Sequence, residues 1–214
     1  MSTLRALSIA GLLLALLPAS LALGADGTPA GGGEGEEPSF FERLKAKLLR
    51  SENSHVERGN EHMAAAEHAA ALEAYNSAAR ELPAEGGVHL DRGLALLATG
   101  DLPAAREALS LASHPPASKA VRADAYYNLG LAFYTEADQL AASEDHQGAQ
   151  QLFREAVDAL KRSLRLRPGD PNTAWNYELA LRRLREEEQK QQEQEQDQDQ
   201  QNQDQQNQDQ QHQH

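Results

Sequence analysis

The chain has 214 residues and a formal net charge of −13, with 40% hydrophobic residues, 5% aromatic residues and no cysteine. An acidic balance of this kind offers no concentrated basic face to nucleic acid. The lack of cysteine excludes disulfides and lipid attachment at an N-terminal cysteine. Many alanines without β-branched alternation favour an all-helical protein over a sheet protein.

The first 24 residues have the pattern of a targeting segment. Arg5 precedes an apolar run that continues to Leu17, and small residues follow Pro18. A charged start, a short apolar run and small residues describe a secretory signal peptide. The stretch 4–23 is also long enough to cross a bilayer. Segment 1–24 is therefore a cleaved signal peptide or an N-terminal membrane anchor. Both alternatives predict an exported protein, periplasmic or anchored in the inner membrane and facing the periplasm.

Two short segments separate this region from the main domain. Residues 25–38 are rich in Gly and Glu and predict a flexible linker. Residues 39–51 begin with Ser39 and Glu42, spaced as in a helix capping box. They predict a basic amphipathic helix, with Phe40, Phe41, Leu44, Leu48 and Leu49 beside Arg43, Lys45, Lys47 and Arg50. Such a helix either packs on the domain that follows or lies on a lipid surface, so membrane association is open to residues 4–23 and 39–51.

The main domain opens with a pattern of small residues at a spacing of 34. Gly59 recurs 34 positions later as Gly93. At offsets +12, +16 and +19 the two glycines are followed by Ala71, Tyr75 and Ala78 and by Ala105, Leu109 and Ala112. This is the spacing of the tetratricopeptide repeat, a helix–turn–helix unit whose copies stack to share a core. Segments 52–85 and 86–119 are therefore predicted to be two repeats.

A third repeat fits residues 123–170 if an insertion is allowed. Gly130 opens the same pattern, but its later members are displaced by 14 residues, about four helical turns. Two extra turns on each helix would absorb the insertion. We therefore expect an extended hairpin of helices Ala123–Ala142 and Asp145–Leu166, with a disordered loop as the alternative.

The C-terminal part predicts a capping helix and a tail. In segment 171–185, Glu178 stands where the repeats have glycine, so no second helix should pack there. A terminal repeat with a polar outer face is a cap. Segment 186–214 alternates Gln with Asp, Glu and Asn and contains no apolar residue. It should be disordered beyond a helical start, because it cannot bury enough surface to offset its chain entropy.

The fold class predicted is all-α, a tetratricopeptide repeat α-solenoid of about three helix pairs plus a C-terminal capping helix. First helices of such a stack line a concave groove. The candidate partner-binding residues there are Val56, Asn60, Met63, Leu90, Leu94, Leu97, Tyr127, Leu131 and Tyr134. The alternative role for each is packing between adjacent repeats. An exposed face of this kind suits a protein or peptide partner with an extended apolar segment or a helix, and it lacks the cations that would hold an acidic C-terminus.

Catalytic chemistry finds little support. There is no phosphate-cradling glycine loop in a strand–helix context, no cysteine nucleophile and no Ser/His/Asp cluster. No catalytic, cofactor or metal site is predicted, and we expect a non-enzymatic scaffold. An assembly factor for a secretion, pilus or outer-membrane complex is the alternative within binding proteins. A cell-wall-processing enzyme is disfavoured, because it would need convergent carboxylates in the groove.

Three features together resemble one family more closely. They are the export signal, the element Asn176-Tyr177-Glu178-Leu179-Ala180 and the Gln-rich tail after it. In this combination the chain resembles the tetratricopeptide proteins of bacterial Bat (Bacteroides aerotolerance) operons. The resemblance implies an envelope scaffold that works with MoxR-type ATPases and with membrane proteins carrying von Willebrand factor A domains. The 14-residue extension of the third hairpin departs from a plain repeat array.

Overall fold

The computed structural model describes residues 44, 45, 48 and 50 and then residues 52–211. All of them belong to one compact unit that spans residues 35–214. The predicted targeting segment 1–24, the linker 25–38 and most of segment 39–51 lie outside the described residues. None of the helices in the described part combines the length and the hydrophobicity that a membrane-spanning helix needs.

From residue 52 onward the described chain is helical and forms no strand. The helices are α1 (Ser54–Ala64), α2 (His68–Glu81), α3 (Gly86–Thr99), α4 (Leu102–Ala112), α5 (Lys119–Ala142), α6 (His146–Leu166) and α7 (Pro171–Gln211). Polar side chains cap six of their N-termini by accepting backbone N–H groups: Asn53, Glu85, Asp101, Ser118, Asp145 and Asp170. Gly100 ends α3 with φ of 81°, a conformation that glycine adopts without steric penalty.

The repeat glycines lie where two helices of a pair touch. A β-carbon added to Gly93 would lie 2.7 Å from Leu109, and one added to Gly130 would lie 2.6 Å from Leu160. Gly59 faces Tyr75 in the same way. Tyr75 and Leu109 follow their glycines by 16 positions, whereas Leu160 follows Gly130 by 30, and 30 − 16 gives the 14-residue insertion. The sequence period is therefore the period of the helix contacts.

A second series of positions joins each repeat to the one before it. Ala95, Ala132 and Ala180 each lie two residues after the glycine position and are fully buried. The equivalent residue of α1 is Glu61, which is exposed because no repeat precedes α1 in the described part. Glu178 is also exposed, since α7 has no second helix to pack on that position. Alanine lets neighbouring helices approach, and glutamate marks the open ends.

The predicted all-α fold is confirmed. It is a tetratricopeptide repeat α-solenoid with the pairs α1–α2, α3–α4 and α5–α6, followed by α7, which packs mainly on α6. Helices α5 and α6 have 24 and 21 residues, whereas α3 and α4 have 14 and 11. The structure thus forms an extended hairpin, in place of a loop, where the sequence carries its insertion.

The C-terminal region differs from the sequence prediction. The cap was expected to end at residue 185 and to give way to disorder, but α7 continues through most of segment 186–214 and ends at Gln211. The physical reason is an anchor that composition does not show. Glu187 is fully buried against the extended hairpin, so the helix is held well beyond residue 185. Helix propagation from a fixed turn adds one hydrogen bond per residue and needs no new nucleus.

The anchor is a cluster of polar contacts between α6 and α7. His146 Nδ1 donates to the Glu187 carboxylate at 2.6 Å, and Lys190 Nζ donates to it at 2.7 Å. Gln150 Nε2 donates to the Glu187 carbonyl at 3.1 Å and to Gln191 Oε1 at 2.5 Å. His146 and Gln150 lie in the first two turns of α6, at the tip of the extended hairpin. The insertion therefore supplies the surface that holds the C-terminal helix.

Candidate partner-binding groove

Three of the nine predicted groove residues are core residues. Leu90 and Leu97 of α3 are 3% and 9% exposed and belong to a cluster with Ala125 and Ala132 of α5. Val56 is also buried, in a separate cluster of α1, α2 and α3 residues. The small side chains of α5 bring the helices close enough for leucine to fill the space between them. The expectation that these three line an exposed groove is corrected: in the folded chain they pack between helices.

The remaining apolar candidates are partly buried and keep some exposed surface. Met63 packs against Ala71, Tyr75 and Ala95, so it bridges the first two repeats. Leu94 packs on the cluster of the second repeat, and Leu131 is half-buried on α5. Side chains in this position both hold the repeats together and offer an apolar surface. Their role in partner binding stays a prediction.

The two tyrosines of α5 connect the groove to the two helices that follow, Tyr134 to α6 and Tyr127 to α7. Tyr134 packs edge-to-face on Phe153, with ring centroids 5.4 Å apart and an interplanar angle of 69°. The Tyr127 hydroxyl accepts a hydrogen bond from Asn176 Nδ2 of α7 at 3.1 Å. Burial raises the pKa of both phenols, and nearby Asp170 and Asp138 act in the same direction. Both tyrosines are therefore neutral at physiological pH and keep a hydroxyl proton to donate.

Asn60 is the exposed polar member of the set, and its side chain is already positioned. The Tyr75 hydroxyl donates to Asn60 Oδ1 at 2.8 Å, which leaves the amide N–H₂ group available. Asn60 lines a cavity of about 520 Å³ together with Arg50, Val56, Glu57, Glu61 and Ala64. This cavity lies on the open side of α1, where later repeats have a preceding neighbour. Its rim is acidic because Glu57 and Glu61 are exposed.

Trp175 is a groove candidate that the sequence prediction missed. It is 67% exposed, an unusual state for so large an apolar side chain. It occupies in α7 the repeat position that Tyr127 occupies in α5, three residues before Glu178 and Gly130 respectively. The alignment of those two helices was sufficient to find it. The candidate surface thus extends from Asn60 to Trp175 along the first helices.

Charged side chains along the extended hairpin are engaged in ion pairs. Arg167 and Asp124 are 2.7 Å apart, and Arg106 and Glu136 are 3.2 Å apart. Within the described residues, no three His, Asp or Glu side chains are placed to hold a metal ion. The chemistry of the surface is therefore that of aromatic rings, leucines and amides, with the charges near α5 paired within the chain.

A comparison with solved structures finds nine chains that resemble this one. The tetratricopeptide repeat domain of Sgt2 from Aspergillus fumigatus aligns with a TM-score of 0.42 and 23% identity, covering 72% of this chain and 86% of that one. No protein-family model matches the chain, and a search of curated proteins finds no relative. The glycine contacts at repeat spacing, within the chain itself, show the helix-pair architecture of tetratricopeptide repeats. Stacked helix pairs of this kind leave one face formed by their first helices, on which the candidate residues lie.

Proposed function

We propose that this protein is a non-enzymatic scaffold of the bacterial cell envelope, which holds a protein partner on the surface between Asn60 and Trp175. One observation carries the proposal. A fully folded repeat array leaves Trp175 67% exposed, beside the half-buried Tyr127, on successive first helices. Exposed aromatic side chains on a rigid support are typical anchors for a partner, because they lose little conformational entropy on binding.

The chemistry of the surface favours an apolar segment with a polar backbone or polar flanks. Leu94 and Leu131 offer aliphatic surface, and Asn60 and the tyrosine hydroxyls offer hydrogen bonds. An extended segment or a helix that lies along the first helices would bury the aliphatic surface and pair with the hydrogen-bonding groups. An acidic C-terminus is disfavoured, since the rim at α1 carries Glu57 and Glu61.

The proposed partners are von Willebrand factor A domain proteins of the Bat type, working with a MoxR-type ATPase. This part rests on the resemblance of the Asn176–Ala180 element and the Gln-rich tail, and on the targeting pattern of segment 1–24. The same pattern supports an exported protein, periplasmic or anchored in the inner membrane. The extended hairpin and the long α7 are additions to a plain repeat array and offer surfaces that a plain array lacks.

Trp175 is the only tryptophan in the chain and provides the test. Titration with a purified von Willebrand factor A domain should quench or shift its fluorescence if the partner covers it. Trp175→Ala and Leu131→Ser should weaken binding about tenfold or more, as expected for anchor residues. Leu111→Ser is the matched control, because Leu111 is 52% exposed on the second-helix side of the array.

Two outcomes would reject parts of the proposal. Both variants must keep the wild-type unfolding temperature. If Trp175→Ala and Leu131→Ser then bind the partner with unchanged affinity, the binding site does not lie on the first helices. Recovery of secretin or pilus components from membranes, without von Willebrand domain proteins, would replace the Bat assignment by an assembly-factor role.

A further inference from the structure

Helix α7 continues the series of groove positions with a residue of a different kind. The predicted groove residues lie three positions before each repeat glycine and one and four positions after it. Glu178 stands at the glycine position of α7, and the same offsets there give Trp175, Leu179 and Arg182. The residues equivalent to Arg182 in the three repeats are Met63, Leu97 and Tyr134. The nine predicted groove residues include no cation, so Arg182 changes the chemistry of the surface at its α7 end.

Trp175 and Arg182 lie on the same face of α7, two turns apart. Seven residues advance a helix by about 10 Å and return the side chain to within about 20° of its starting direction. Trp175 is 67% exposed and Arg182 is also exposed, whereas Leu179 between them is half-buried. A segment that covers Trp175 and continues along α7 therefore meets the Arg182 guanidinium.

Arg182 also differs from its neighbour in the chain in having no carboxylate of its own. The Arg183 guanidinium lies 2.7 Å from Asp138 and 2.7 Å from Glu186. Arg182 takes part in none of the ion pairs among the described residues, and Glu178, one turn earlier, is exposed without contacting it there. A guanidinium in this state is available to a carboxylate of a partner, which it can hold with two parallel hydrogen bonds.

The opposite end of the surface carries the opposite charge. Beside Asn60, the exposed Glu57 and Glu61 line the cavity on the open side of α1. Arg50 lines the same cavity, but its guanidinium is paired with the Asp91 carboxylate. The α1 end of the surface therefore offers carboxylates to a partner, whereas the α7 end offers a guanidinium.

The sequence shows the same separation of charge along the array. Segment 52–85, the first repeat, contains seven acidic and two basic residues. Segment 161–185, which includes the end of α6 and the start of α7, contains two acidic and seven basic residues. Complementary charges on a partner fix its register and disfavour the reversed arrangement, because like charges would then face each other.

We propose that the groove selects a partner segment with opposite charges at its two ends and binds it in one orientation. An apolar side chain of the segment covers Trp175, a side-chain carboxylate next to it pairs with Arg182, and a basic residue lies at the α1 end. The carboxylate is about 10 Å from the apolar side chain, which is seven residues in a helix or three in an extended chain. This rests on the proposed function, since it assigns the charge and the direction of the segment bound on the same surface.

Selection of peptides from a phage-displayed library of random dodecapeptides, on the full-length chain, tests the proposal. Each peptide is fused through its C-terminus, so that only side-chain carboxylates are offered. We expect the enriched peptides to carry Lys or Arg at one end and Asp or Glu beside an apolar residue at the other, in a constant order. Arg182→Glu should remove the preference for Asp or Glu. Arg165→Glu is the matched control, because Arg165 is an exposed arginine on the second helix α6, and it should leave the preference unchanged.

A double-mutant cycle with one enriched peptide, made synthetically, identifies the ion pair directly. Quenching of Trp175, the only tryptophan in the chain, reports binding. Arg182→Gln should weaken the peptide about threefold to fivefold, the effect of one exposed ion pair, and so should replacement of the peptide carboxylate by an amide. The two changes together should weaken binding no more than either alone, because both remove the same pair. High salt should weaken the unchanged pair more than the doubly changed one.

The outcomes separate this inference from the groove itself. Enriched peptides that quench Trp175 but show no charge preference, or losses that add fully in the cycle, would overturn the inference and leave the scaffold role intact. No enrichment above background, or enriched peptides that leave the fluorescence of Trp175 unchanged, would contradict segment binding on the first helices, and the proposed function with it.

Discussion

The first two repeats and the extended third hairpin hold their neighbours in different ways. Between α3, α4 and α5 the contacts are leucine on alanine, with Leu109 and Ala105 fully buried. At the tip of α6, the contacts to α7 are a buried glutamate and the amides and cations around it. Apolar contacts at repeat spacing recur at equivalent positions in successive repeats. The polar contacts depend on particular residues 41 positions apart, such as His146 and Glu187, and so belong to one place in the chain.

The largest loss of folding stability is expected at the buried apolar positions, which the first two repeats and the third hairpin have in common. Leu109→Ala and Leu160→Ala each remove a fully buried side chain that fills the space beside a repeat glycine. Each should lower the free energy of unfolding by about 2–5 kcal/mol, as measured by urea denaturation. Leu111→Ala, at a 52% exposed position, should change it by less than about 0.5 kcal/mol. Similar losses for Leu109→Ala and Leu111→Ala would contradict the assignment of the core.

A smaller and more local effect is expected at Glu187. Glu187→Ala removes the acceptor of His146 and Lys190, and the His146 side chain, which is 12% exposed, loses its partner. We expect a loss of about 1.5–3 kcal/mol, the range for hydrogen bonds to charged groups. Hydrogen exchange should rise from residue 187 onward while α3 and α4 keep their protection. Glu193→Gln, at an exposed site one to two turns away, is the control; uniform loss of protection in both regions would show that the anchor is not local.

Acid should have the same local effect on the native chain. Burial opposes ionisation of Glu187, but the hydrogen bonds from Lys190 and His146 and the charge of Arg183 outweigh it and lower the pKa of the carboxyl. A carboxyl whose pKa is lower in the folded state stabilises that state above its ordinary pKa, and this contribution is lost as the pH falls through the lowered value. The end of α7 should therefore stay docked near pH 7 and detach only at a pH below the ordinary pKa of a glutamate carboxyl, as seen by hydrogen exchange. Detachment in Glu187→Gln should not follow this acid transition.

The smallest effect is expected from shortening the tail beyond the anchor. A chain that ends at residue 194 retains Glu187, Lys190 and Gln191 and should unfold within about 0.5 kcal/mol of the full chain. A chain that ends at residue 185 loses the whole anchor and should resemble Glu187→Ala. Thermal unfolding of the two shortened chains measures this difference. A large loss in the longer one would mean that residues beyond 194 contribute to the fold.

The repeats could be predicted from the sequence because each helix contact requires a small residue at a fixed position. Gly93 and Gly130 must be small for the helices to touch, so their spacing carries the geometry of the contact. Glu178 likewise predicted the absence of a partner helix. The anchor at Glu187 could not be found in this way, since a glutamate in a Gln-rich tail has the composition of a solvated extension. Glu187 is buried because α6 is long enough to reach it, and the sequence around residue 187 does not indicate this contact.

The candidate groove was predicted only in part, for a related reason. Repeat position identifies which residues lie on first helices, and Trp175, Tyr127 and Leu131 follow that rule. Exposure depends on the neighbouring helix as well. Leu90 occupies the same repeat position as Trp175, but α5 covers it, whereas nothing in the described chain covers Trp175. A period of 34 residues places a side chain, and the packing around it decides whether a partner can reach it.

The glutamates at the two open ends also bear on how copies of this protein meet each other. Glu61 stands where the next repeats have Ala95, and Glu178 stands where they have Gly93. Stacking repeat on repeat between separate molecules would force these carboxylates into contacts that accept only alanine or glycine. Identical units that join head to tail without closing form filaments. One carboxylate at each end therefore disfavours such growth.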